Sequence, residues 1–190
     1  MAFVNGYVDL PIGSYDEWKN AVAGNGYNAD GYYGDQCWDL TAEFWYNVGF
    51  PTGYPLTGPN QSASECWTVN RNNNTSYNGT QYFELIENLS DIKKGDVVVF
   101  DGIPGHIGFA DEDYTTGTIK ILGQNQGSLG IPTPIPNPEG GTTATVTPLS
   151  AIGVLGAFRY KGWQPIPPTP TKKKGNFKWV LYARKLRERN

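Results

Sequence analysis

Polar and apolar positions in the first third of the chain alternate with a helical period. Ser14 and Glu17 have the spacing of a capping box and predict a short helix that closes at Gly24. A second helix is predicted over about 36–48, before Gly and Pro residues that stop it. Its apolar residues recur every four positions, as on one face of an amphipathic helix: Leu40, Phe44 and Val48.

The period becomes extended beyond residue 81. A third short helix over 62–69 and an Asn-rich loop over 71–79 precede this change. Strand-like runs then follow, separated by Gly and Pro clusters, over 96–100, 106–110, 118–122, 143–146 and 153–160. Helices followed by consecutive strands predict an α+β domain, with the N-terminal helices packed on an antiparallel β-sheet.

Composition divides the chain into three parts. Residues 1–163 are predicted to form one domain, and 164–175 a linker rich in Pro and Lys. Residues 176–190 form a short basic tail. Three interpretations of the tail stay open: a solvated helix, an anchor on a wall or membrane surface, or the start of a second domain.

The charge and hydropathy of the chain exclude several kinds of partner. A formal net charge of −3 and a pI near 5.1 argue against nucleic-acid binding. No window approaches the ~20 apolar residues of a membrane span. The N-terminus lacks the basic and apolar regions of a secretory signal peptide, so we expect no such leader. We also expect a monomer.

Cys37 and His106 are the residues with the chemistry of a thiol hydrolase. Cys37 lies in the first turn of the second predicted helix, where the helix dipole and free N–H groups favour a thiolate. A buried core cysteine is the alternative. His106 begins a strand-like run and is the only histidine, so any Cys–His mechanism must use it as the base. A single histidine also argues against a His-rich zinc site.

Two further residues have open assignments. Asn125 follows the strand predicted to pair with the one that carries His106, and its carbonyl can orient an imidazole. An ordinary turn asparagine is the alternative. Cys66 is predicted to be a free structural thiol, because a bridge to Cys37 would remove the nucleophile.

Four sequence blocks together resemble the CHAP domain, the cysteine, histidine-dependent amidohydrolase/peptidase family of phage endolysins and bacterial wall hydrolases. They are D-G-Y-Y-G-D-Q-C-W-D-L at 30–40, K-G-D-V-V-V-F at 94–100, G-H-I-G at 105–108 and I-L-G-Q-N at 121–125. The resemblance extends over about 8–163. It implies a papain-like fold with Cys37 as nucleophile, His106 as base and Asn125 as third member. Gln36 is an implied contributor to the oxyanion hole.

The resemblance also implies an activity, namely cleavage of an amide bond in peptidoglycan by an endolysin or a virion-associated lysin. Such a protein passes from the host cytoplasm to the cell wall, or travels on the phage particle. Two alternatives stay open: a wall-binding module without catalysis, and a thiol protease of ordinary proteins. Phage members often carry Glu two residues before the Asn, where this chain has Gly123. Asn125 alone, a carboxylate from elsewhere, or reduced activity would each accommodate that difference.

The twelve residues from Asn28 to Asp39 resemble a calcium loop of the EF-hand type. Its oxygen-donating positions 1, 3, 5, 7 and 12 hold Asn28, Asp30, Tyr32, Gly34 and Asp39. Positions 1, 6 and 12 depart from the usual residues, which predicts a structural Ca²⁺ of modest affinity. The alternative is an Asx-rich turn that binds no metal.

Overall fold

The computed structural model describes residues 2–126 and 142–163. The helices are α1 (Tyr15–Val22), α2 (Cys37–Asn47), α3 (Glu65–Thr68) and α4 (Arg71–Thr75). The strands are β1 (Phe3–Asn5), β2 (Gly26–Asn28), β3 (Ser76–Tyr77), β4 (Thr80–Gln81), β5 (Phe83–Ile86), β6 (Val97–Phe100), β7 (His106–Ala110), β8 (Thr118–Gly123), β9 (Thr145–Ser150) and β10 (Val154–Tyr160). Within the described ranges, every helix is too short or too polar to cross a membrane.

Six strands form one antiparallel sheet in the order β5-β10-β6-β7-β8-β9. Strand β7 lies inside it, with His106 opposite Phe100 of β6 and Phe109 opposite Leu122 of β8. Helix α2 packs against β7. The predicted α+β class is confirmed, and so is the pairing of the strand that carries His106 with the strand before Asn125.

An aromatic cluster between α2 and the sheet forms most of the core. Trp45 stacks on Phe83 with ring centroids 4.2 Å apart, and Phe44 meets Phe109 edge-on at 5.1 Å. Trp163 stacks on Phe44 at 5.0 Å. The last residue of the predicted domain therefore packs against its core, whereas the predicted linker and tail lie outside the described residues.

The Asn-rich segment 71–79 was expected to be a loop, and that expectation is wrong. It forms α4 and most of the β3–β4 hairpin. Asn74 is buried there, where its amide nitrogen donates to the carbonyls of Leu56 and Cys66 and its amide oxygen accepts from the Leu56 N–H. These tertiary hydrogen bonds satisfy a polar side chain inside the fold, which local composition does not reveal.

Glu43 on α2 holds the N-terminal segment against the domain by hydrogen bonding. Its Oε1 accepts hydrogen bonds from the Val8 N–H at 2.9 Å and from Asn47 Nδ2 at 3.0 Å. Its Oε2 is buried without a hydrogen-bond partner among the described residues. Burial therefore raises the pKa of Glu43 to about 7.

We predict that Glu43→Gln stabilises the protein at pH 8 by about 1 to 3 kcal/mol, because an uncharged amide avoids the desolvation of a buried carboxylate. Folded Glu43 keeps its proton up to about pH 7, whereas unfolded Glu43 loses it near its ordinary value of 4.5. Native stability contributed by this group is therefore present at acid pH and falls as pH rises from 4.5 to 7. Urea unfolding at pH 4 and pH 8 measures the difference.

The matched control is Glu87→Gln, which changes an exposed carboxylate. It should alter stability by no more than about 0.5 kcal/mol at either pH. A Glu43→Gln variant that is equally destabilised at both pH values would contradict the prediction.

Candidate active site

Cys37 is the first residue of α2, directly after the N-cap residue Gln36. Its thiol is buried in the same cluster as Ile107, whose backbone N–H lies close enough to lower the pKa of the thiol. Ile107 follows His106 at the start of β7. The fold therefore brings the start of the predicted nucleophile helix to the start of the strand that carries the only histidine of the chain.

Burial is the main influence on the Cys37 thiol and raises its pKa to about 11. The backbone N–H groups of Ile107, Trp38 and Cys37 itself lower it. The stabilisation expected at a helix N-terminus is present, but desolvation outweighs it. At neutral pH the thiol is protonated and needs a base to become a nucleophile.

A tight turn at Gly105 directly precedes His106. Gly105 has φ +73° there, and a Cβ on it would lie 2.9 Å from the Phe100 carbonyl oxygen and from atoms of Ser64, so the turn requires glycine. The imidazole is buried, which lowers the pKa of His106 to about 4. The ring is therefore neutral at pH 7 and can accept a proton.

Asn125 and Gln36, both predicted site residues, lie in contact. The side-chain amide of Asn125 donates to Gln36 Oε1, and Gln36 Nε2 in turn donates to the Tyr33 carbonyl. The Asn125 N–H donates to the Thr142 hydroxyl. The role of Asn125 as third member and that of Gln36 as oxyanion contributor stay predictions.

Gln126 approaches the His106 ring, and the sequence did not single it out. Its Oε1 lies 3.4 Å from His106 Nε2. It is one of three amide side chains in Gln124-Asn125-Gln126, and no local pattern distinguishes the one that turns back towards β7.

Gln124 is a second residue that the sequence did not assign. It is fully buried, and it exchanges two hydrogen bonds with the Tyr27 backbone, at 3.0 and 2.8 Å. Its Nε2 also lies 3.3 Å from the Gln36 carbonyl oxygen. Gln124 thus joins the end of β8 to β2 and to the residue before the thiol. A polar residue that follows a buried strand is the only sequence signal for it.

Asp39 closes the loop that precedes α2. Its carboxylate accepts hydrogen bonds from the backbone N–H groups of Ala29 at 2.8 Å, Asp30 at 3.3 Å and Gln36 at 2.9 Å. Burial, followed by the nearby charge of Asp30, raises the pKa of Asp39 to about 7. This loop therefore places two carboxyl groups close together, and Asp39 lies two residues from the thiol.

The same loop has side-chain oxygen atoms of the kind that bind hard cations such as Ca²⁺. The side chains of Asn28 and Asp30 fold back onto the N–H groups of Gly31 and Tyr32. The mutual repulsion of Asp30 and Asp39 is what a divalent cation between them would relieve. Over residues 2–126 and 142–163 there is no group of three or more His, Cys, Asp and Glu that could hold a metal, so any ion here would depend on amide and carbonyl oxygens as well.

The proteins similar to this chain include a phage enzyme and an endolysin of known structure. A D-alanyl-L-alanine endopeptidase of Streptococcus phage B30 is 34% identical over 127 residues, which cover 61% of this chain and 25% of the phage protein. The crystal structure of the wild-type endolysin LysIME-EF1 matches with a TM-score of 0.56 and 24% identity, over 93% of this chain and 85% of that chain. The second likeness shows the fold alone.

The sequence model of the CHAP domain matches residues 22–125. This range contains α2 with Cys37, β7 with His106, and Asn125 at its end. It covers more than half of the chain, including the helix that carries Cys37 and the strand that carries His106. The chain therefore belongs to the CHAP domain family.

Proposed function

We propose that this protein hydrolyses an amide bond of bacterial peptidoglycan, with Cys37 as nucleophile and His106 as general base. The observation that carries the proposal is that Cys37, at the start of α2, is buried in one cluster with Ile107, the residue after the only histidine. Membership of the CHAP family and the likeness to a phage endopeptidase support it.

The protonation states favour proton transfer during attack rather than a resting ion pair. Neutral His106 takes the thiol proton as the sulfur of Cys37 bonds to the amide carbon. Backbone N–H groups at the start of α2 stabilise the oxyanion. The imidazolium then protonates the leaving amine as the C–N bond breaks. Water, deprotonated by His106, hydrolyses the thioester and restores the thiol.

Asn125 and Gln36 complete this proposed site. Asn125 acts as the third member near His106, and Gln36 contributes a side-chain donor to the oxyanion. Their direct hydrogen bond supports a shared role, because it links the residue before the nucleophile to the end of β8. Gln36 Nε2 carries two N–H groups, so its hydrogen bond to the Tyr33 carbonyl leaves a second donor for the oxyanion.

The phage relative is named for D-alanyl-L-alanine cleavage, which favours a cross-bridge peptide bond over the muramoyl–L-alanine amide. We propose that the chain acts as a monomeric lysin of phage origin, either an endolysin or a virion-associated lysin. The chain spans a quarter of the length of that relative. The masses of released wall fragments distinguish the two bonds.

We further propose a structural Ca²⁺ in the loop before α2. Side-chain oxygens of Asn28, Asp30 and Asp39, with the carbonyls of Tyr32 and Gly34, would hold it. The ion would offset the negative charge of the two carboxylates. Because Asp39 also binds the Gln36 N–H, fixing this loop fixes the start of α2.

We predict that Cys37→Ala abolishes release of peptide fragments from purified Gram-positive cell walls, because it removes the nucleophile. Cys66→Ala is the matched control: Cys66 is a fully buried free thiol whose pKa is raised by burial. That variant should keep the activity and lose about 1 kcal/mol of stability. Mass spectrometry of the released fragments and urea unfolding provide the two measurements.

Fragment release that survives Cys37→Ala would contradict the mechanism. If neither native protein nor variant releases fragments while both pellet with the walls, the chain is a wall-binding module instead. A disulfide between Cys37 and Cys66 in active protein would contradict the free-thiol assignment.

We predict that Ca²⁺ raises the melting temperature of the native protein relative to EGTA. Saturation at 100 times the Kd would add about 2.7 kcal/mol to the free energy of unfolding. Asp30→Asn should reduce this gain, because it removes one of the two carboxylates. Asp113→Asn, at an exposed ion pair with Lys93, should leave the gain intact. Equal melting in Ca²⁺ and EGTA, with no heat in calorimetric titration, would rule the site out.

A further inference from the structure

The side chain of Gln126 is held in one orientation by its amide nitrogen. Nε2 lies 2.8 Å from the Thr145 carbonyl oxygen, 3.1 Å from that of Gly123 and 3.2 Å from that of Ile121. Carbonyl oxygens only accept hydrogen bonds, so the nitrogen of the amide must face them. The amide oxygen is thereby directed at the His106 ring, 3.4 Å from Nε2.

This orientation decides which ring nitrogen of His106 carries the proton. An amide oxygen has no proton to donate, so His106 Nε2 must be the donor of the hydrogen bond. In the neutral ring, Nδ1 then has the free lone pair. We propose that Gln126 is a second positioning residue of the site beside Asn125, and that its amide oxygen holds His106 as the Nε2–H tautomer and leaves Nδ1 as the base for the Cys37 thiol. This inference rests on the proposed hydrolase function.

The absence of a side chain at Gly123 makes the arrangement possible. A Cβ at that position would lie 3.1 Å from Gln126 Cδ and 3.2 Å from its Oε1. Both distances are tighter than ordinary contacts, so the amide would have to move. Gly123 has no side chain that could accept a hydrogen bond from His106. Its small size leaves room for Gln126 Oε1 to do so.

The same hydrogen bond continues to act once His106 is protonated. Both ring nitrogens of an imidazolium are donors, and Gln126 Oε1 still accepts from one of them. The hydrogen bond therefore raises the pKa of His106, against the larger lowering by burial. Without Gln126, the ring would be a weaker base and would be free to adopt the other tautomer.

Two substitutions distinguish the role of the Gln126 amide oxygen from that of its amide nitrogen. Gln126→Ala removes both the oxygen and the nitrogen. Gln126→Glu keeps an oxygen acceptor for His106 and loses the donor to the carbonyls of Ile121, Gly123 and Thr145. A positioning role through the oxygen and a purely structural clamp through the nitrogen therefore predict opposite results for Glu.

His106 gives a clean spectroscopic signal, because it is the only histidine. In protein labelled with ¹⁵N-histidine, long-range ¹H–¹⁵N spectra should show one Nε2–H tautomer for native protein. Gln126→Ala should give averaged ring shifts of mixed tautomers. Gln126→Glu should keep the native tautomer, and its negative charge should raise the midpoint of the imidazole titration by about one pH unit.

Hydrolysis of wall fragments provides the second readout. Gln126→Ala should lower kcat about 10- to 100-fold with little change in KM, because Gln126 orients His106 and does not bind the substrate. Gln126→Glu should recover most of kcat. The acid limb of its kcat/KM profile should move to higher pH, because the negative charge raises the pKa of His106. The kcat of Gly123→Ala should lie between that of native protein and that of Gln126→Ala. Gln81→Ala, at an exposed glutamine of β4, is the control without effect.

The inference is overturned if Gln126→Ala keeps the single Nε2–H tautomer, or if Gln126→Glu loses as much kcat as Gln126→Ala. Either result would make Gln126 a clamp between β8 and β9. The spectra remain decisive if native protein hydrolyses no wall, so failure of the proposed function and failure of this inference are distinguishable.

Discussion

The buried junction between the start of α2 and the start of β7 is the constraint on which the site depends. Helix α2 is fixed there from two sides: Asp39 binds the N–H groups of the preceding loop, and Gln124 binds the Gln36 carbonyl from the end of β8. Phe44 anchors the middle of the helix on Phe109 of β7. A thiol on the first turn can then meet the backbone of β7 with little freedom to move.

Burial at this junction has an electrostatic consequence. It raises the pKa of Cys37 and lowers that of His106, so both groups are neutral at rest. A neutral pair avoids the cost of two uncompensated charges in a dry site. Under the proposed mechanism, charge separation arises only together with the oxyanion, next to the N–H groups of α2.

Much of the fold was predictable because its signals are local. Ser14 accepts from the Glu17 N–H and begins α1, as the capping pattern indicates. The apolar spacing around Phe44 predicted α2 within a residue or two of its observed ends. Strands β1, β2 and β5 were missed, because they are short and depend on partners distant in the chain.

The candidate residues of the site and the family could be read from the chain alone: one histidine, a cysteine at a helix start, and family blocks around both. The protonation state and the surroundings of those residues depend instead on long-range packing. Desolvation of Cys37 depends on what packs over it, and the acceptor at His106 depends on how Gln126 folds across Gly123. Both are long-range contacts, set by the pairing of β7, β8 and β9, and no local pattern of residues encodes them.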